Sequence, residues 1–182
     1  MAGAPRARRL ALAATAMVLI LMAVGAVAAA GATNATARIV DASGEPVGWA
    51  ALVEDGTGRL HLNVHVDGLA AGRHGVHLHA VGSCVGPTFS SAGGHFDPFG
   101  HEHGLANPNG AHAGDLPNLV VNVAGRGHLD ATTDLATLSD GAGSLFDADG
   151  SALIVHANQD DQVTNPSGNS GARIACGVIE AG

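Results

Sequence analysis

Eleven histidines stand in a chain with no lysine and no tyrosine, and seven of them lie between His74 and His112. His77-Leu78-His79 puts two imidazoles at alternate positions, so an extended backbone turns both to one side. His95, His103 and His112 follow, with Asp115 just beyond, and His156 ends the apolar run Leu153-Ile154-Val155. A lone buried histidine is most often a hydrogen-bonded core residue. Packing alone does not collect a same-face pair, three further histidines, a carboxylate and a strand-end histidine. Neutral imidazoles with one carboxylate suit zinc, copper or iron rather than magnesium or calcium. The spacing leaves open how many ions bind, and which.

The elements that must carry these side chains read as strands. Leu60, Leu62, Val64 and Val66 alternate with His61, Asn63 and His65, the period of a half-buried antiparallel strand. Similar runs occur at Thr36–Val40, Val47–Glu54, Gly75–Ala80, Asn118–Val123, His128–Thr132, Ala152–His156 and Arg173–Ile179. Turn pairs such as Ser43-Gly44, Asp55-Gly56, Asp67-Gly68 and Asp149-Gly150 separate several of them. Eight short strands predict an all-β sandwich or barrel. Two connections, Val81–Pro117 and Ala157–Ala172, are too long for hairpins and are expected to be functional. The first holds most of the histidines, so bound metal can supply order that a core does not. Asp147-Ala148-Asp149-Gly150 lacks the later ligands of a calcium loop and reads as a turn.

Composition narrows the partners. The 182 residues make one domain, 13% are charged and 3% aromatic, and 27 are glycine. That excludes a basic nucleic-acid binder, a coiled coil and a long disordered tail. Residues 1–31 differ from the rest: Arg6, Arg8 and Arg9 precede an uncharged stretch from Leu10 to Ala37. This is the pattern of an export signal, with Ala28-Ala29-Ala30 as cleavable small residues. A retained anchor is the rival, since about 20 apolar residues span a bilayer. Without that segment five arginines face sixteen acidic residues, a net charge of −11, so neither nucleic acid nor anionic lipid is an expected partner. An even cysteine count in an exported chain predicts that Cys84 and Cys176 pair.

Several motifs resemble, in order and with family-like gaps, the signatures of copper/zinc superoxide dismutase over about residues 36–180. They are Gly75-Val76-His77-Leu78-His79, Ser91-Ala92-Gly93-Gly94-His95-Phe96-Asp97-Pro98, His103-Gly104, His112-Ala113-Gly114-Asp115-Leu116 and Gly171-Ala172-Arg173-Ile174-Ala175-Cys176-Gly177-Val178. The resemblance implies an eight-stranded antiparallel Greek-key β-barrel with two long functional loops, and one copper and one zinc ion per chain. It gives copper to His77, His79, His95 and His156, and zinc to His95, His103, His112 and Asp115, with His95 shared. Asp160 matches the outer carboxylate that links a copper histidine to a zinc histidine, and Arg173 matches the active-site arginine that attracts a small anion. Cys84 and Cys176 match the family disulfide, and His74 a structural histidine beneath the site. His61, His65, His101 and His128 match no ligand.

The implied reaction turns superoxide into oxygen and hydrogen peroxide by Cu(II)/Cu(I) cycling, with His95 taking up and returning a proton. The exported form resembles the bacterial branch, which implies a periplasmic or secreted protein protecting the extracytoplasmic space. A homodimer stays open, and membrane contact follows only if the N-terminal segment is retained. Among the rivals, a copper/zinc-sequestering protein on the same fold has no use for Arg173, an adhesion sandwich has none for the His95 and Asp115 motifs, and a zinc hydrolase needs an open zinc position. One departure from many eukaryotic family members is a shorter Ala157–Ala172 loop without lysine, which leaves attraction of the substrate to the metals and Arg173.

Overall fold

The computed structural model describes residues 33–182, with Met1 and Gly3; the export-signal or anchor segment expected over residues 1–31 otherwise falls outside the described residues. Among the described residues the chain forms ten strands. They are β1 (Asn34–Asp41), β2 (Pro46–Glu54), β3 (Leu60–Val66), β4 (Gly72–His74), β5 (Val76–His79), β6 (Leu119–Val121), β7 (Gly127–Thr133), β8 (Ala152–His156), β9 (Arg173–Val178) and β10 (Glu180–Ala181). The sheet path is β4-β6-β7-β3-β2-β1-β9-β8-β5, with β10 on β1. Only Gly75 separates β4 from β5, yet these lie at the two ends of the path. The continuous stretch 72–79 therefore nearly closes the antiparallel sheet into a barrel. The connections β3 to β4 and β7 to β8 pass over intervening strands, which makes the topology a Greek key.

All eight expected strands are present, and two further ones are added. β4 escapes the sequence pattern because Gly72-Arg73-His74 has no apolar alternation; it is held by pairing with β6. β10 is a two-residue pairing with Ala35 and Thr36.

Inward side chains such as Ile39, Leu52, Leu60, Val64, Leu78, Leu116 and Leu153 form the main core. A smaller cluster of Phe89, Ala92, Ala152, Ile154 and Cys176 lies against Cys84, outside that core. There Cys84 and Cys176 form the expected disulfide, with Cα atoms 5.7 Å apart and a sequence separation of 92. It ties the loop after β5 to β9. The two long loops are also laced to one another. The Ala106 N–H donates to the Gln162 carbonyl at 3.0 Å. Gly104 sits at φ +113°, where a Cβ would collide with that same carbonyl, so only glycine permits the approach.

Candidate metal centre

β5 delivers His77 and His79, and β8 delivers His156, to one end of the barrel. Leu78, between the two histidines, fills the core, so the pleat turns both imidazoles the other way. The loop after β5 brings His95, which bridges to His79 in a short β-type contact. His103, His112 and Asp115 come from the same loop, and Asp160 from the loop after β8. His77, His79, His103, His112, Asp115, His156 and Asp160 are all buried.

Two sets of ligand atoms converge. In the first, His77, His79, His95 and His156 each offer a nitrogen. His79 Nδ1–H donates to the Gly93 carbonyl at 3.1 Å, and His156 Nδ1–H to the Gly171 carbonyl at 3.2 Å. His77 Nε2–H donates to Asp160 Oδ2 at 2.7 Å. Each bond fixes a tautomer and leaves the other nitrogen bare. His77 Nδ1, His79 Nε2, His95 Nε2 and His156 Nε2 are all buried without a hydrogen-bond partner. Four orphaned imidazole nitrogens on one spot are costly unless something takes their lone pairs. An all-nitrogen set of this kind fits copper.

In the second set the Nδ1 atoms of His95 and His103 lie 2.9 Å from Asp115 Oδ1, and that of His112 lies 3.3 Å from it. His112 Nδ1 is also 3.3 Å from His95 Nδ1. The ligand atoms that converge here are those of His77, His95, His103 and Asp115; the His77 ring stacks on His95 at 3.9 Å, and the expected ligand His112 stands at the edge of this group, next to His95 and Asp115. Three imidazoles around one carboxylate oxygen are the donors of a closed tetrahedral zinc site. Asp115 Oδ2 accepts from the Gly104 and His112 N–H groups at 2.8 and 3.0 Å, which locks the carboxylate in place.

The electrostatics of the first set suit ligation. Desolvation, helped by neighbouring histidines, holds the pKa of His79 down at about 2, His95 at about 4 and His156 at about 3, so these rings are neutral. Burial also pushes His77 down, against the pull of Asp160. Burial disfavours a charged His103, but hydrogen bonds and charge from Asp115 and Asp160 outweigh it and raise the pKa to about 9. Burial likewise opposes ionisation of Asp115 and Asp160, yet their histidine partners and a backbone N–H on each hold both carboxyls below the usual range.

Asp160 joins the two sets, accepting from His77 through Oδ2 and from His103 Nε2 through Oδ1 at 3.1 Å. Its neighbour Asp161 instead caps its own loop through Thr164 and Asn169. Gly168, at φ +60°, leaves room for this link, since a Cβ there would overlap the Asp160 carboxylate. Arg173 donates to the Phe89 carbonyl at 2.6 Å and the Gly93 carbonyl at 2.5 Å. With His79, His95, His156, Pro166 and Ser167 it lines an open pocket of about 280 Å³ above the first set. His74 lies beneath, its ring nitrogens 2.7 Å and 2.9 Å from the carbonyls of His156 and Ala70. His61, His65, His101 and His128 stand away from both sets.

Sequence reasoning misses the supports. Asn118 holds the Asp160 backbone from both sides, accepting its N–H at 2.8 Å and donating to its carbonyl at 2.9 Å. Asn165 Oδ1 accepts the His103 N–H at 3.1 Å. A loop amide carries no pattern that marks such a task.

A Greek-key barrel bearing two adjacent buried ligand sets and an arginine-lined pocket defines a protein whose side chains could hold metal ions. The sequence model of the copper/zinc superoxide dismutase family matches residues 47–179. Superoxide dismutase (Cu-Zn) 2 of Aquifex aeolicus is 42% identical over 148 residues, 80% of this chain and 86% of that one. The solved structure of a superoxide dismutase-like protein from Bacillus subtilis matches with TM-score 0.75 and 42% identity, covering 78% of this chain and 95% of that one. Cu/Zn superoxide dismutase from Brucella abortus matches with TM-score 0.64 and 32% identity, over 81% and 99% of the two chains. The chain belongs to the copper/zinc superoxide dismutase family, whose members are oxidoreductases acting on superoxide.

Proposed function

We propose that this chain converts superoxide to oxygen and hydrogen peroxide, with one copper ion held by His77, His79, His95 and His156. One zinc ion is held by His95, His103, His112 and Asp115. The carrying observation is the set of four buried nitrogens without partners beside the Arg173 pocket. Bound copper would supply one-electron redox chemistry, and zinc a fixed positive charge. The chain's own residues do the rest. Arg173, clamped by two carbonyls, presents its remaining N–H groups to a small anion. His95 touches both sets and is the group placed to hold a proton at Nε2 and release it to a departing product. Asp160 fixes the rings of His77 and His103 together, as outer carboxylates do for ligating histidines.

The setting is extracytoplasmic, with residues 1–31 as export signal or anchor and residues 36–180 as the dismutase domain. Support comes from the apolar N-terminal stretch and from the disulfide, which persists in oxidising compartments. Superoxide is the substrate; a homodimer is compatible with the fold, and membrane contact requires the N-terminal segment.

The test is metal analysis of the purified protein beside superoxide decay by pulse radiolysis. One copper and one zinc per chain with fast decay support the reading. Arg173→Ala keeps both metals and slows the reaction about one to two orders of magnitude, the value of a lost charge-assisted hydrogen bond of about 1.5–3 kcal/mol. The second reading, a metal-sequestering protein, is favoured by the match to a Bacillus protein named only superoxide dismutase-like. It expects full metal content, no turnover, and no effect of Arg173→Ala.

A further inference from the structure

One bulky side chain holds a backbone conformation that such residues rarely adopt. Phe89 sits at φ +53° and ψ +24°, in the left-handed region. Among the described residues only Gln162 and Asn169 share a positive φ without being glycine, and both are polar. For a large side chain this region is an outlier, because Cβ crowds the backbone. Glycine would take the same turn without strain, and the chain has 27 glycines to draw on. Phe89 is nevertheless the residue here, and it is 1% exposed. Strained residues persist only where the surroundings over-determine them, and they collect at sites of function.

What the strained turn aims is the Phe89 carbonyl. The Phe89 N–H donates to the Val85 carbonyl at 3.1 Å and closes one turn, and the short 3-10 helix Ser90–Ala92 starts the next. The left-handed residue between them redirects the chain. Its carbonyl accepts the Arg173 Nη1–H at 2.6 Å as well as the Ala92 N–H at 3.2 Å. Gly93, at the other end of the short helix, accepts the Arg173 Nη2–H at 2.5 Å. The Phe89 ring packs in the small cluster with Ala92, Ala152, Ile154 and Cys176. Cys176 lies on β9, the strand that begins with Arg173. The ring therefore sets the carbonyl against the same strand that carries the guanidinium. Two open depressions border Arg173. One is lined by His79, His95 and His156, and the other, lined by Pro87, Thr88, Ser90, Gly171 and Ala172, holds no metal ligand. The clamp decides which of them the guanidinium serves.

We infer that Phe89 is a positioning residue for the proposed reaction: its buried ring holds a strained left-handed turn, and that turn fixes Arg173 at the anion pocket. The inference rests on the dismutase reading of that pocket. Without the ring the backbone relaxes to an ordinary conformation and the carbonyl leaves the guanidinium. Arg173 then divides its time between the two depressions. A small anion above the first set of histidines loses a fixed, charge-assisted donor. A side chain that merely fills space acts differently, since the cost of its removal grows with the volume lost. The two roles part at glycine. Phe89→Gly removes more volume than Phe89→Ala but frees the left-handed turn of strain, whereas alanine keeps the strain and lacks the ring.

The experiment uses the whole protein loaded with copper and zinc, with azide as the small anion and the Cu(II) absorption band as the reading of its dissociation constant. Arg173→Ala weakens azide binding about 10–100-fold, the effect of losing a charge-assisted hydrogen bond. Phe89→Ala weakens it at least about threefold, and Phe89→Gly weakens it too, but less than Phe89→Ala does. In the Arg173→Ala protein Phe89→Ala has no further effect, because it acts through the guanidinium. Val64→Ala, a core truncation on β3, lowers the melting temperature and leaves azide affinity unchanged. Metal analysis and melting curves accompany each variant. Phe89→Gly takes the place of a Phe89→Ala protein that does not fold, in the same pairing with Arg173→Ala. Unchanged azide affinity in the truncated protein overturns the inference. So does an equal loss with and without Arg173, or weaker binding by Phe89→Gly than by Phe89→Ala. Azide binding is read without turnover, so a parent protein that binds azide through Arg173 yet leaves superoxide intact counts against the dismutase reading alone.

Discussion

The β1-β2-β3-β7 ladder and the loops at the metal end are ordered by different forces. In the ladder, pairing runs in unbroken register from Gly48↔Val66 to Glu54↔Leu60 and from Leu60↔Thr133 to Val66↔Gly127, and burial alternates along β1, β3 and β7. Many equivalent contacts share the work, so no single side chain decides the outcome. In the loops the buried apolar side chains are Phe89, Ala92, Phe96, Ala113 and Leu116, all from residues 81–117. Buried polar atoms, a disulfide and the contact between Gly104 and Gln162 hold residues 81–117 and 157–172 against the barrel. Losses in the ladder therefore cost stability alone, whereas losses in the loops cost stability and function together.

Asp115→Ala tests the loop side most severely. It strips the partner from three imidazoles and two backbone N–H groups. Breaking a buried charged network costs about 3–5 kcal/mol, roughly 10 °C in melting temperature for a domain of this size. Zinc is lost first, and hydrogen exchange rises across residues 81–117 ahead of the ladder. If calorimetry and exchange show the ladder opening with the loops at the same temperature, the two regions are one cooperative unit and the contrast fails.

Removing the Cys84–Cys176 bond by serine substitution is the next step down. By loop-closure entropy a disulfide of this span contributes up to about 4–5 kcal/mol, and measured losses run about 2–4 kcal/mol. The functional effect is specific, because the bridged loop supplies the Phe89 and Gly93 carbonyls that clamp Arg173. Superoxide decay slows while copper and zinc content stays near one each. Val64→Ala in the ladder removes comparable core, about 2 kcal/mol. It lowers the melting temperature while leaving the decay rate per bound copper unchanged. A change in that rate would show that the ladder does reach the site.

The same contrast explains what was legible in the sequence. Period-two alternation revealed eight strands because the ladder is built from it. β4 was invisible, since Gly72-Arg73-His74 is held by pairing with β6 and not by its own pattern. Within the site, the alternation of His77 and His79 announced a shared face, and the loop histidines became interpretable through the family motifs. Asp160 stood beside Asp161 with nothing local to choose between them. Burial chooses: Asp160 is buried between His77 and His103, while Asp161 caps a surface turn. The carbonyls that clamp Arg173 and the amide of Asn118 leave no mark in the sequence, because every residue has a carbonyl and loop asparagines are common.

The smallest effect lies at the end of a ladder strand, away from the metal-end loops, at Glu54. This last residue of β2 accepts from the Leu138 and Ser139 N–H groups at 2.6 and 2.8 Å and from the Ser139 hydroxyl at 2.8 Å, pinning the crossover from β7 to β8 onto the ladder. Burial works against the charge, but these hydrogen bonds prevail and lower the carboxyl pKa from its ordinary 4.5. A carboxyl whose folded pKa lies below its unfolded value binds protons more readily when unfolded. Its contribution is complete above about pH 4.5 and is lost as the pH falls through the lower folded value. Glu54→Gln keeps the shape and removes the charge, costing about 1 kcal/mol at neutral pH once solvent screening is allowed for. Melting curves for the variant and the parent therefore differ at pH 7 and converge as the pH drops below about 4.5. A gap that stays constant through the acid range would mean that Glu54 holds the crossover by shape and not by charge.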